Sequence, residues 1–234
     1  MRKKILEIGC GEGVNTYYLS KKNDIIGIDI SEEVIVVARR RFPSVDYRVM
    51  NTERLEFTND YFDQVYALDV LEHVDNLDRV IAEVWRVLRP GGEFIANIPY
   101  WKSEQWLLKL RPTYFKEIHH SRIFGENTLE ELLGDNKFSL IKKARAGFLS
   151  HVFQYYMFKR TPLGKTQLGI GDWRDNWKTK TLSISLLFFD ERLFQTPLKY
   201  CPVWFITLPL GLIINFFGNI FFPKSFFYKF KKYA

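Results

Sequence analysis

The chain has 234 residues, of which 47% are hydrophobic and 26% charged, with a net charge of +7. That apolar content supports one domain of ordinary size with an appendage and excludes a disordered chain. Two cysteines, Cys10 and Cys201, show no metal-ligand spacing and make no disulfide framework, which suits a reducing cytosol.

The first hundred residues alternate between strand and helix signals. "KKILEIG" is a short apolar run, followed by helix-like "VNTYYLSKK"; its basic start is not a secretory signal, because the run stops at once in glycines and acids. "DIIGIDI" is a second run, and "SEEVIVVARRRF" opens with a Ser31 cap signal and acids in its first turn. "VDYRVM" and "FDQVYALDV" read as the third and fourth strands. "LDRVIAEVWRVLRPGG" carries a helical stripe at Leu77, Ile81, Val84 and Leu88, ended by Pro90-Gly91-Gly92, and "EFIANIP" is a fifth strand. Such alternation predicts an α/β fold, a doubly wound, mostly parallel sheet with helices on both faces. Ligands bind such sheets at the carboxyl ends of the strands. After Tyr100 the pattern loosens: "NTLEELLGDN" predicts a helix capped by Asn127, "KFSLIKKARAG" a strand, and "TLSISLLFF" a last strand.

Gly9, Gly11 and Gly13 follow the first strand at alternate positions, where glycine costs stability unless a turn or a ligand needs bare backbone. A phosphate cradle is excluded: Glu12, Val14 and Asn15 stand where cations would be wanted, and "GCGEG" is one residue short of the dinucleotide spacing. Glu7 inside the strand favours a cationic or hydroxyl-rich ligand. Asp29, at the end of the second strand, is placed to bind both hydroxyls of a ribose. Together these point to S-adenosylmethionine.

With "ILEIGCGEG", "IIGIDIS", "FDQVYALDVLEHV" and "VLRPGGEFIANIP" in order, residues 4–146 resemble the class I S-adenosylmethionine-dependent methyltransferases, particularly the small-molecule group. The resemblance implies a Rossmann-like fold and S-adenosyl-L-methionine as cofactor. It implies that Glu7, Gly9 and Gly11 line the methionine part and that Gly13 allows close helix packing. Asp29 would hold the ribose, Ile30 lie on the adenine, and Asn51, where the family often has Asp, sit near the adenine amino group. Thr52 would present its backbone to the ring, and Asp69 would lie beside the methionine amino group. Relatives usually carry a helical segment before the first strand, which here opens almost at residue 1.

Methyl transfer needs a positioned acceptor, excluded water and, for a hydroxyl acceptor, a general base. Asp69, Glu72 and His73 in "DVLEHV" are similar to the Glu-x-x-Glu-His of quinone-ring O-methyltransferases, where the acids and the histidine are linked to a divalent metal. Here the first acid is Asp, and "LEHV" also occurs in relatives without a metal, so none is assigned. "EIHHSRIF" resembles the family's His-x-Arg-x-Phe segment, aligning His120 and Arg122, with His119 extra. His73, His120 and Tyr100 are therefore the catalytic candidates; either histidine reads alternatively as structural.

Cys201–Phe222 contains no charged residue, and residues 101–234 carry 21 Lys/Arg against 10 Asp/Glu. Twenty-two such residues are long enough to span a bilayer, but Pro209, Gly211, Asn215 and Asn219 interrupt the run. A monotopic attachment on the inner face of the membrane, with the lysines of "PKSFFYKFKKYA" on anionic headgroups, fits better; a buried core helix is the alternative. The expected organisation is a cofactor-binding core over 1–146, a cap or substrate region over 147–195 and an attachment segment over 196–234. The expected activity is cytoplasmic methyl transfer to a small or lipid-linked acceptor. A soluble sugar or metabolite acceptor and a non-catalytic cofactor-binding module are the alternatives. A nucleic-acid substrate is disfavoured, because Asp69-Val70-Leu71-Glu72 replaces the Asn/Asp-Pro-Pro-aromatic motif of amino-directed base methylation.

Overall fold

The computed structural model describes residues 2–110, 112–146, 223 and 225–233. Five strands, β1 (Lys4–Ile8), β2 (Asp24–Asp29), β3 (Asp46–Val49), β4 (Phe62–Leu68) and β5 (Leu88–Pro99), pair in parallel in the order β3-β2-β1-β4-β5. Between them run α1 (Val14–Ser20), α2 (Glu32–Arg41) and α3 (Leu77–Val87). In β1, Ile5 packs into one apolar layer with Ile25, Ile35, Ala38 and Tyr47. Leu6 and Ile8 join a second layer with Val80, Ile81, Val84 and Val87 of α3. A strand whose two faces are both covered must be apolar throughout, which is why these strands read as unbroken runs.

Ser31 caps α2 as the sequence signals, and Asn76, which it did not signal, caps α3, whereas Asn127, expected to cap the helix of "NTLEELLGDN", makes no side-chain cap bond. Val34 N–H donates to Ser31 Oγ at 3.4 Å, and Arg79 N–H to Asn76 Oδ1 at 3.0 Å, each satisfying a donor that the helix itself leaves open. Glu32 and Glu33 in the first turn of α2, and Arg39, Arg40 and Arg41 in its last, oppose the helix dipole. One boundary differs from expectation. α3 stops at Val87 and β5 starts at Leu88, so Pro90-Gly91-Gly92 lies inside the strand. The register with β4 jumps there, from Phe62 opposite Leu88 to Gln64 opposite Glu93, and Gly91 takes φ 74° in the resulting bulge.

Beyond β5 come α4 (Trp101–Leu110), α5 (Tyr114–Ile118), α6 (Thr128–Asp135), β6 (Phe138–Ala146) and β7 (Ser225–Lys232). β7 inserts between β5 and β6, completing a seven-stranded sheet. It runs antiparallel to β6: Tyr233 N–H donates to Lys137 O and Ser139 Oγ–H to Lys231 O, so numbers rise on one strand as they fall on the other. Met1–Glu104, Ile118–Ala144 and Phe226–Ala234 make one compact unit, and Gln105–Glu117 with Arg145–Ser225 a second.

β7 corrects the reading of the basic C-terminal stretch as a membrane contact. Phe226, Tyr228 and Phe230 are core residues, and Lys229 Nζ pairs with Glu93 Oε1 at 2.6 Å. Lys232, only 4% exposed, donates to Asp60 Oδ1 at 2.7 Å and to Leu88 O at 2.6 Å, with its ammonium 4.0 Å from the Trp85 ring centroid. Alternating aromatic and lysine residues here are a strand with an apolar face, and the lysines answer acids on neighbouring elements. "TLSISLLFF" and Cys201–Phe222 lie outside the described residues; among those described, no helix is long and apolar enough to cross a membrane.

Lys232→Ala would leave a buried carbonyl and an acid without their cation, a loss of about 2 kcal/mol. Exposed Lys231→Ala should stay within about 0.5 kcal/mol of the parent. Urea unfolding of the two variants checks the contrast.

Candidate functional site

At the carboxyl end of β1 the chain turns through Gly9, Gly11 and Gly13, with φ of 66°, 51° and 78°, all in the left-handed region. Their reasons differ. A Cβ at Gly9 would stand 2.4 Å from Val70 Cγ2, and one at Gly13 2.5 Å from the Tyr47 hydroxyl. A Cβ at Gly11 would meet nothing within 4 Å. Two of the glycines therefore serve the protein's own packing, and Gly11 faces open space. Its N–H donates to Asp29 Oδ2 at 3.0 Å, while Asp29 Oδ1 accepts from Ser31 N–H at 3.0 Å. One carboxylate thus ties the glycine loop to the start of α2. Ile30, beside it, is 70% exposed, an apolar side chain left for something flat to cover.

Glu7, 1% exposed, lies at the base of this loop and accepts from the Thr16 hydroxyl at 2.5 Å. Burial drives its pKa from 4.5 up to about 7, against the opposing hydrogen bonds of Thr16 and Asn15. Cys10, next to the loop, has its thiol pushed far up by burial and by the nearby Glu7 and Asp29, so it is no nucleophile.

At the end of β4, Asp69 is one of four described non-glycine residues with positive φ, at 55°. Asn97 of β5 fixes it twice: Asn97 Nδ2 donates to Asp69 Oδ1 at 2.5 Å, and Asp69 N–H donates to Asn97 O at 3.0 Å. After β3, Asn51 Oδ1 accepts from Glu53 N–H at 2.8 Å, turning the chain at half-exposed Thr52.

Four side chains from three segments meet beyond Asp69. Glu72 is 1% exposed, and its backbone carbonyl accepts from Ser121 N–H at 2.8 Å. Arg122 Nη2 donates to Val74 O at 2.5 Å and Asp75 O at 2.8 Å, strapping residues 119–122 over the loop after β4. His73 Nδ1 lies 3.0 Å from His119 O, and a carbonyl can only accept, so Nδ1 carries the proton. Burial pushes His73 below the usual imidazole range, countered by that bond. His120 packs edge-on to His73, with ring centroids 4.7 Å apart, and its Nδ1 lies 2.8 Å from Glu104 Oε2. Its Nε2 is 4.0 Å from Glu72 Oε1.

Tyr100, the third catalytic candidate, lies just before α4. It is 4% exposed, set edge-on against Phe226 of β7, and its carbonyl accepts from Glu104 N–H at 3.1 Å. Glu104 escaped the sequence analysis because α4 buries Ser103 and Glu104, polar residues that an apolar-stripe search passes over. Thr16, Asn97 and Tyr47 were missed likewise, as partners visible only once strands are paired.

Residues 6–96 match the family described as a methyltransferase domain. The ubiquinone biosynthesis O-methyltransferase of Agrobacterium fabrum is 34% identical over 98 residues, covering 40% of this chain and 39% of that protein. The phosphatidylethanolamine N-methyltransferase of Cereibacter sphaeroides is 33% identical over 98 residues, covering 39% and 48%. The match thus spans less than half the length of these curated relatives. A solved SAM-dependent methyltransferase of Methanosarcina mazei superposes with a TM-score of 0.54 at 25% identity, covering 62% of this chain and 84% of its own.

A carboxyl that ionises near 4.5 unfolded but near 7 folded favours the fold fully below about pH 4.5 and loses that advantage as pH rises to about 7. The loss amounts to about 3 kcal/mol. Ligand-free Glu7→Gln should lack this component, so the wild-type-minus-variant stability, followed by thermal melts, should fall across that window. A flat difference would refute the assignment.

Proposed function

We propose that this chain, whose residues 6–96 form a class I S-adenosylmethionine-dependent methyltransferase domain, methylates an oxygen of a small or lipid-linked acceptor. The observation that carries the reading is the open side of Gly11, bounded by the Asp29 carboxylate and exposed Ile30. When bound, the cofactor supplies an electrophilic methyl group on a sulfonium. Asp29 holds its ribose, Ile30 covers the adenine, and Asn51 and Thr52 border the ring. Glu7 and Asp69, with Gly9 and Gly11, face its methionine part, and Gly13 keeps α1 close enough to shape the loop. A cation beside Glu7 would favour the carboxylate, so cofactor affinity should increase with pH through about 7.

On the acceptor side, His73 and His120 are the polar groups that orient the nucleophilic oxygen and accept its proton. Tyr100 contributes by starting α4 and so setting the position of Glu104. The names of two relatives, one for a quinone pathway and one for a phospholipid headgroup, support an acceptor that lives in or near lipid. The uncharged Cys201–Phe222 supplies the surface that would bring the domain there, from the cytoplasmic side.

Gly11→Ala places a methyl group where the cofactor must lie, at a backbone cost of only about 1–2 kcal/mol. It should abolish the calorimetric heat of the demethylated cofactor product while the protein stays folded, and Asp29→Ala should abolish methyl transfer from labelled cofactor into a lipid extract. A Gly11→Ala protein that binds the product as well as wild type would overturn the reading.

Flotation with anionic liposomes separates the acceptor classes. The full chain should float, and the triple variant Phe205→Asp/Leu212→Asp/Phe217→Asp should not; a chain that stays with the soluble fraction points to a soluble sugar or metabolite.

A further inference from the structure

We propose that Arg86 and Glu83, one turn apart on α3, are positioning residues for cofactor recognition: they fix the loop after β3 so that Asn51 and Thr52 meet the adenine ring. The inference rests on the methyl-transfer reading for the identity of that ring, and on the bonds of the loop for the rest.

Every N–H of the Arg86 guanidinium is used. Nε donates to Glu83 Oε1 at 2.7 Å, and Nη2 donates to Glu83 Oε2 and to Leu55 O, both at 2.8 Å. Nη1 donates to Phe57 O at 2.7 Å and to Asn59 Oδ1 at 3.0 Å. Those bonds occupy all five donors that a guanidinium carries. Glu83 Oε2 also accepts from Leu55 N–H at 2.7 Å, so both backbone groups of Leu55 are bound to the pair. An arginine and a glutamate three residues apart on a helix are ordinarily a solvated pair that contributes little. Here the pair is partly buried, and the three further acceptors of Arg86 lie 27 to 31 residues earlier in the chain. Arg86 holds the Glu83 carboxyl below its usual range, which keeps it an acceptor at neutral pH.

The same loop is tied at its start and in its middle. Met50 N–H donates to Asp29 O at 2.9 Å, in the residue whose carboxylate is assigned to the ribose. Glu53 Oε1 accepts from Asn76 N–H at 2.9 Å, at the N-cap of α3. Asn51 and Thr52 stand between these ties. Asn51 Oδ1 accepts from Glu53 N–H at 2.8 Å, and a carboxamide oxygen has two lone pairs, so the adenine amino group can supply a second proton. Such recognition depends on where the loop holds one oxygen. A shift of about 1 Å stretches a bond of about 2.9 Å beyond hydrogen-bonding range. A pair that merely stapled the loop would alter stability alone; a positioning pair alters which ring the site prefers.

The test compares two ligands by calorimetry on the full chain: the demethylated cofactor product, and its analogue with a carbonyl oxygen in place of the adenine amino group. Wild type should prefer the amino compound about 10-fold, the effect of one hydrogen bond. In Arg86→Ala that preference should disappear, and hydrogen exchange of the ligand-free protein should quicken over residues 51–57. Arg86→Lys keeps the charge without the planar fork, so it should lose the preference too, and it serves if Arg86→Ala does not fold. Arg89→Ala is the control: its arginine pairs with Asp63 at 2.5 Å, away from this loop, and the variant should match wild type in both measurements. Folded Arg86 variants that keep the wild-type preference, or that leave exchange over residues 51–57 unchanged, overturn the assignment. So does a wild-type chain that binds both compounds equally, although the methyl-transfer reading would then stand. A wild-type chain that binds neither compound would sink that reading, and with it the role given to the pair.

Discussion

The Asp29 carboxylate is the constraint on which the rest of the site depends. Each of its oxygens accepts one backbone N–H, from Gly11 on one side and Ser31 on the other. Both donors belong to turns that would otherwise present uncompensated amides at the carboxyl edge of the sheet. With the carboxylate there, the glycine loop and the first turn of α2 keep a fixed separation, and the opening at Gly11 is bounded on one side. Glu7 closes the bottom of the same opening from within β1, where burial raises its pKa to about 7, so a positive ligand beside it would favour the carboxylate. An anionic ligand would face two carboxyls, and a cationic one would be stabilised by both.

Much of this was legible in the chain because it depends on short-range pattern. Apolar runs mark the five parallel strands, Ser31 caps α2 as its side chain allows, and Gly9, Gly11, Gly13 and Asp29 sit together at adjacent strand ends. Sequence could not separate the glycines by purpose, since that requires knowing that Val70 and Tyr47 pack on two of them and nothing on the third. α4 was invisible because its inward residues include Ser103 and Glu104. β7 was misread because alternating lysines and aromatics suit a headgroup layer and an ion-paired strand equally well. Only the acids at Glu93 and Asp60 decide between them.

The cluster of Glu72, His73 and His120 shows how polar groups survive in a region this closed. Arg122 binds two carbonyls of the loop that follows β4, and Ser121 binds the Glu72 carbonyl, so the strap fixes backbone before any side chain meets. His120 is then delivered between two carboxylates, and His73 is turned by the carbonyl of His119, a residue in the left-handed conformation at φ 57°. Unfavourable backbone angles at Asp69 and at His119, on opposite sides of one cluster, are affordable only where neighbouring bonds leave no alternative.

The late arrival of β7 has its own bearing on how the molecule forms and varies. Residues 147–224 are synthesised before the strand that occupies the slot between β5 and β6. During translation β6 therefore has no neighbour in the sheet, and the flank of β5 that β7 covers stays open until β7 itself has been made. Whatever precedes it in the chain, the sheet is completed only by a strand with aromatics facing inward and a lysine in reach of Asp60.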